Sequence, residues 1–144
     1  MKPSEQLAVV GYLSPASQTT VQNTGYISAA DFNSFLCVLN IGAMTSGGTL
    51  DAKITQATDA NGTGVKDVTG CGMTQILAAS GSNKQVVFNL RQDQLDIAGG
   101  FGFFTLSITP ATQASIIGAV VFGVDPAYES CSDKNVASVV QVVG

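Results

Sequence analysis

Without a single histidine, this 144-residue chain must draw any acid, base or metal chemistry from ten carboxylates and three thiols. The segment that most resembles a site is Thr58-Asp59-Ala60-Asn61-Gly62-Thr63-Gly64, where oxygen-bearing side chains recur as in a calcium loop. An EF-hand loop starting at Asp59 needs its bidentate Glu where Gly70 stands, and no helical pattern flanks it. Asp, Asn and Gly clusters of this kind tolerate positive φ, so the segment reads as a tight connection between strands. Asn61-Gly62-Thr63 is also a glycosylation sequon, but the leader of a secreted chain is a poor match to Met1–Leu13, where Glu5 precedes a short apolar stretch.

Asp67-Val68-Thr69-Gly70 approaches an aspartic-protease loop, except that Val68 separates residues the motif needs contiguous. Asp93, Asp96, Asp125 and Asp133 offer carboxylate pairs, yet nothing in their spacing or in a Trp-free chain distinguishes a glycosidase pair from acidic turns. A serine nucleophile has no histidine to activate it, and there is no G-x-S-x-G elbow or phosphate loop. Cys37, Cys71 and Cys131 lack metal-ligand spacing. Cys37 reads as a small buried apolar residue in Phe35-Leu36-Cys37-Val38-Leu39, while Cys71 (Gly70-Cys71-Gly72) and Cys131 (Ser130-Cys131-Ser132) lie in loop contexts where a bridge between them stays open. The expected outcome is a chain with no catalytic, cofactor-binding or metal residues.

The elements that would have to position any site are strands. Thr49-Leu50-Asp51-Ala52-Lys53-Ile54-Thr55 alternates with Leu50, Ala52 and Ile54 on one side, a strand with one wet face. Phe35–Ile41 is apolar on both faces, and Gly47-Gly48 between the two predicts a hairpin. Further strands are expected at Leu7–Leu13, Thr20–Ile27, Thr74–Ala78, Val86–Leu90, Phe103–Thr109, Ile116–Gly123 and Val136–Val143. Helical pattern is limited to single turns near Ala29–Phe32 and Asp93–Ile97. The 28 uncharged residues from Ile97 to Val124 exceed a bilayer span of about 20, but Gly99-Gly100 and Thr109-Pro110-Ala111-Thr112-Gln113 break them into two strands around a turn. Together these predict one all-β domain over residues 1–144, an antiparallel, jelly-roll-like β-sandwich of about eight or nine short strands, with residues 1–6 as an N-terminal arm.

Only 16 residues are Asp, Glu, Lys or Arg, and the net charge is −4. The basic residues Lys2, Lys53, Lys66, Lys84, Arg91 and Lys134 are scattered, so no stripe exists to neutralise phosphates, and neither nucleic acid nor membrane is an expected partner. Ile116-Ile117-Gly118-Ala119-Val120-Val121-Phe122 is apolar on both faces, and adjacent Phe103 and Phe104 must point to opposite sides of a strand. For the phenylalanines, cover by the second sheet and a loop is the simpler expectation. For the two-faced strands, a chain of this size has little material left, and subunit contacts are expected to cover the remainder.

Tyr26-Ile27, then Asp31 to Ala43 with Leu39-Asn40-Ile41-Gly42-Ala43, then Gly48 to Asp59, the turn Asn61-Gly62-Thr63 and Lys66-Asp67-Val68 form an order of elements that resembles small β-sandwich proteins encoded among the head genes of tailed bacteriophages. The likeness continues through Phe103–Thr109 and Ile116–Gly123. It implies a capsid decoration or cement protein: a homotrimer on the outer surface of the phage head, stabilising contacts between major capsid subunits, made in the bacterial cytoplasm and carrying no catalytic or cofactor residues. Other readings of the same fold are a neck, tail or head-fibre component and a carbohydrate-binding module. The latter would have only Tyr12, Tyr26 and Tyr128 as sugar platforms, and an enzyme working with carboxylates alone is the remaining alternative.

Overall fold

The computed structural model describes residues 2–128 and 131–144, so Met1, Glu129 and Ser130 of the expected arm and loop lie outside the described residues. Ten strands form in chain order: β1 (Leu7–Gln18), β2 (Gln22–Asn23), β3 (Ile27–Ser28), β4 (Phe32–Met44), β5 (Thr49–Ala57), β6 (Lys66–Gly72), β7 (Ile76–Leu77), β8 (Gln85–Arg91), β9 (Phe103–Ala111) and β10 (Ser115–Pro126). They build two antiparallel sheets. The first has the order β1-β10-β4-β8, and the second runs β2-β9-β5-β6, with β3 also on β9 and β7 also on β5.

Counting β2 with β3 and β6 with β7 as broken single strands leaves eight positions, ordered 1-8-3-6 in one sheet and 2-7-4-5 in the other. That is the strand order of a jelly roll, a long hairpin rolled up so that its two arms pair at every level. The all-β sandwich read from the sequence is therefore the fold observed.

Alternation along the strands builds the core. Phe35, Cys37, Leu39 and Ile41 of β4, with Ile117, Ala119 and Val121 of β10, point inward from the first sheet. Leu50, Ala52 and Ile54 of β5, with Phe104, Leu106 and Ile108 of β9, meet them from the second. Phe104 is fully buried and packs its ring on Phe35 across the interface, centroids 4.5 Å apart. Its neighbour Phe103 points outward and is half-buried. Gly123 is required where it stands: a Cβ there would lie 2.6 Å from the buried Phe32 ring.

Several expectations need correction. β4 and β5 do not form a hairpin, because the turn through Gly47 (φ +85°) carries the chain from one sheet to the other. The uncharged run does form two strands around a turn, β9 and β10, as expected, and these lie in opposite sheets. Residues 66–72, read only as loop chemistry, form β6 on the edge of β5. Thr20–Ile27 is interrupted at Gly25 (φ +79°) and leaves only the short β2 and β3. Val136–Val143 makes no strand, since no partner strand within the protomer pairs with it. Pro3–Gln6, within the expected arm, forms one helical turn in which the Lys2 N–H donates to Glu5 Oε2. Among the described residues no helix is long and apolar enough to cross a membrane.

Candidate functional site

The acidic candidates Asp59, Asp67, Asp93, Asp96 and Asp125 each make a bond that holds local structure. Asp59 accepts from the Asn61 and Thr63 backbone N–H groups and from Thr63 Oγ1 at 2.6 Å, which fixes the 58–63 turn. The Thr63 hydroxyl first, then those backbone donors, hold its carboxyl below the ordinary 3.8. Gly62 (φ +80°) brings the turn against the ring of Tyr26, so Tyr26 packs on this loop. Asp67 lies in β6 and pairs with Lys53 at 2.8 Å. Asp93 pairs with Arg91 at 3.1 Å, and Asp125 accepts from Asn33. Asp96 accepts from Lys66 Nζ at 2.7 Å and from the Gly99 N–H, and these two bonds lower its carboxyl, the lysine contributing most. Lys66 also sits 4.0 Å over the Phe101 ring. Asp133 falls in a separate 3-10 turn, Cys131–Asp133.

All three cysteines are free and buried, so Cys71 and Cys131 do not form a bridge. Burial pushes the Cys37 thiol up to about 12 and raises Cys71 and Cys131 as well, the last helped by the nearby Asp125 charge. Thiols so protonated are poor nucleophiles and poor metal ligands. Among the described residues no group of three or more Cys, Asp or Glu side chains is placed to hold a metal ion.

What the fold does assemble is a surface. The outward side of the β1-β10-β4-β8 sheet is built by residues alternating with the core, and the strand register stacks them in rows. One row crosses all four strands: Tyr12 opposite Val120, Val120 opposite Val38, Val38 opposite Val87. The next joins Val9, Phe122, Leu36 and Asn89, and the row on the other side joins Gly118, Asn40 and Gln85. These three rows carry no charge; Arg91, opposite Ser34, stands in the row beyond Asn89, at one corner. Tyr12, Val87 and Ile116 are 46%, 57% and 42% exposed, too open for core residues of their type. Gly118 lets Pro15 of β1 lie directly on the sheet, and the bulge this creates walls one side of an open groove of about 830 Å³ floored by Val38, Val120 and Ile116.

The opposite face of the molecule has the other character. Outward from β5 and β9 point Asp51, Lys53 and Thr55, opposite Thr109, Ser107 and Thr105. Gln75 donates to Asp51, and Thr24 lies within hydrogen-bonding distance of Thr105. This sheet meets water around Asp51, Lys53, Ser107 and Thr109, while Thr55, Thr105 and Thr24 are buried beside them; the other sheet presents aliphatic and aromatic side chains with almost no charge. The sequence showed Phe35–Ile41 and Ile116–Phe122 to be apolar on both sides, but not that Tyr12 and Val87 extend the same row; only the cross-strand register reveals that.

No family model matches the chain, and no curated protein matches it. Among solved structures it is similar to the SPBc2 prophage-derived protein YomS, at 11% identity and a TM-score of 0.44, over 80% of this chain and 94% of that one. It is similar also to VP2 of infectious bursal disease virus, at 11% identity and a TM-score of 0.30, over 87% of this chain and 42% of that one, so it spans under half of that protein. A third is a carbohydrate-binding module from Cellvibrio mixtus lichenase 5A, at 17% identity and a TM-score of 0.28, over 78% of this chain and 96% of that one. The tyrosines expected to serve a sugar site are dispersed: Tyr12 borders the groove, Tyr26 packs on the 58–63 turn, and Tyr128 follows β10, 86% exposed.

Proposed function

We infer that the chain is a structural virion protein, a decoration or cement subunit that docks on the outer surface of a phage head and stabilises contacts between major capsid proteins. The observation that carries this reading is the outward face of the β1-β10-β4-β8 sheet, four strands wide, apolar and nearly free of charge in a chain whose other sheet turns Asp51, Lys53, Ser107 and Thr109 to solvent. Such a face suits a broad, shape-complementary contact with a protein surface better than it suits a small polar ligand. Contact of this kind stabilises an assembled shell by mass action, since a ligand that binds the assembled state and not its parts shifts the balance toward assembly.

The carboxylates and thiols support the same view by their engagement in turns, ion pairs and the core. In this reading the subunit works as a homotrimer, in which copies share the contacts that one small sandwich cannot make alone. Co-sedimentation of the purified protein with undecorated heads tests it. Saturable binding at hundreds of copies per particle is expected for a cement. Saturation at about a dozen copies points instead to a neck, tail or fibre position at a unique vertex, and no binding overturns the reading.

A further inference from the structure

Residues 136–143 read Val-Ala-Ser-Val-Val-Gln-Val-Val, an uncharged, β-branched run with the composition of a strand. In the protomer it is paired with nothing along most of its length. Val140, Val142 and Val143 are 95%, 58% and 84% exposed. Its start is pinned to the outer edge of β1, where the Val136 N–H donates to the Val9 carbonyl and the Val9 N–H donates to Asn135 Oδ1. Its far end lies beside Lys2, whose Nζ donates to the Gly144 carbonyl. Val136 and Val139 are half-buried, but three valines left in solvent are costly unless a second surface covers them.

The opposite edge of the same sheet is the open side of β8. Its register with β4, together with the Ile41 N–H bond to the Lys84 carbonyl, directs the backbone groups of Gln85, Val87 and Asn89 away from β4. The Arg91 N–H, which faces the same way, is satisfied by Gln94 Oε1. β8 is the last strand of its sheet, and Val87 ends the apolar row that crosses it. β10 and β4 separate this edge from β1, so residues 136–143, tied to Val9, face away from their own β8.

We propose that residues 136–143 of one copy add as an extra strand to the open edge of β8 in a second copy. Strand addition satisfies the backbone groups of both partners and lays valines beside Val87. The occupant is another copy of this chain because the contact needs little charge matching: a −4 chain repels itself least where it carries no charge, and the segment and the Gln85–Asn89 stretch carry none. A donor at one edge and an acceptor at the other make a head-to-tail contact, the kind that gives a ring when the rotation between copies closes, here the three-membered ring of the trimer reading. The proposal rests on the homotrimer of the preceding reading and assigns its interface.

The test is sedimentation equilibrium of the full chain and of Val140→Lys, Val87→Lys and, as a control on an exposed loop of the other sheet, Val65→Lys. All three sites are exposed in the protomer, so each variant is expected to melt within a few degrees of the parent. The parent and Val65→Lys should be trimers, while Val140→Lys and Val87→Lys should dissociate with constants weakened on the order of a hundredfold. Hydrogen exchange at the Val87 and Asn89 amides should be slow in the trimer and fast in either dissociated variant. A trimer that survives both lysines overturns the strand addition and leaves the trimer standing. A parent that is monomeric at micromolar concentration overturns both. A trimer that dissociates as described yet ignores phage heads overturns the shell reading alone.

Discussion

Val38→Asp separates the role of the outer sheet face from the stability of the fold. Val38 is half-buried at the centre of the face, with Val120 on one side and Val87 on the other. In the free protein the new carboxylate can reach water, so the cost to folding is that of a poor strand former among β-branched neighbours, about 1 kcal/mol, a fall in Tm of about 4 °C. In a docked complex the same site is covered. Losing the remaining burial of a Val removes about 1 kcal/mol, and dehydrating an unpaired carboxylate adds several more. A total of at least about 4 kcal/mol corresponds to a loss of affinity of about a thousandfold. Val38→Asn, without the charge, should lose about tenfold, because its amide still needs a partner when covered. The assay is quantitative co-sedimentation with undecorated heads, beside calorimetric melting of each variant. Affinity of Val38→Asp within about threefold of the parent, with Tm as expected, would refute the assignment of this face.

Three further outcomes follow from the geometry. Gly123→Ala should destabilise by about 1–3 kcal/mol in chemical denaturation, since its methyl collides with a Phe32 ring that has no room to retreat. Acid should weaken the fold below about pH 4, as read by Tm against pH. Asp59 and Asp96 have depressed carboxyls, so their contribution is present above the ordinary 3.8 and is lost as pH falls through their lowered values. Asp59→Asn should flatten part of that acid limb. At pH 8 a maleimide should leave Cys37, Cys71 and Cys131 unlabelled in the native protein and label all three in denaturant, with Cys37 the slowest to react on partial unfolding.

The core was legible wherever alternation was strict. Leu50, Ala52 and Ile54 announce the inner side of β5, and the two-faced runs 35–41 and 116–122 announce strands whose second side needs cover. Turns were less legible, because Gly47-Gly48 looks the same locally whether the chain doubles back in one sheet or crosses to the other; the choice belongs to the rolled topology. β6 escaped notice because only Val68 and Cys71 of its seven residues are buried and Gly70 adopts positive φ. The opposite error came at Val136–Val143, where β-propensity is high and no strand of the same protomer is available to receive it. The outer face was half visible. Its strands could be read singly, whereas the row from Tyr12 to Val87 exists only once four strands distant in sequence are brought into register.

A cryo-EM reconstruction of heads saturated with the protein would show which sheet faces the shell. Density for the sandwich is expected on the outer shell, with the side bearing Tyr12, Val38 and Val120 buried against capsid protein and the side bearing Asp51 and Lys53 turned to solvent. Heads with no added density, or a sandwich seated with Asp51 and Lys53 against the shell and the apolar face in water, would contradict this docking.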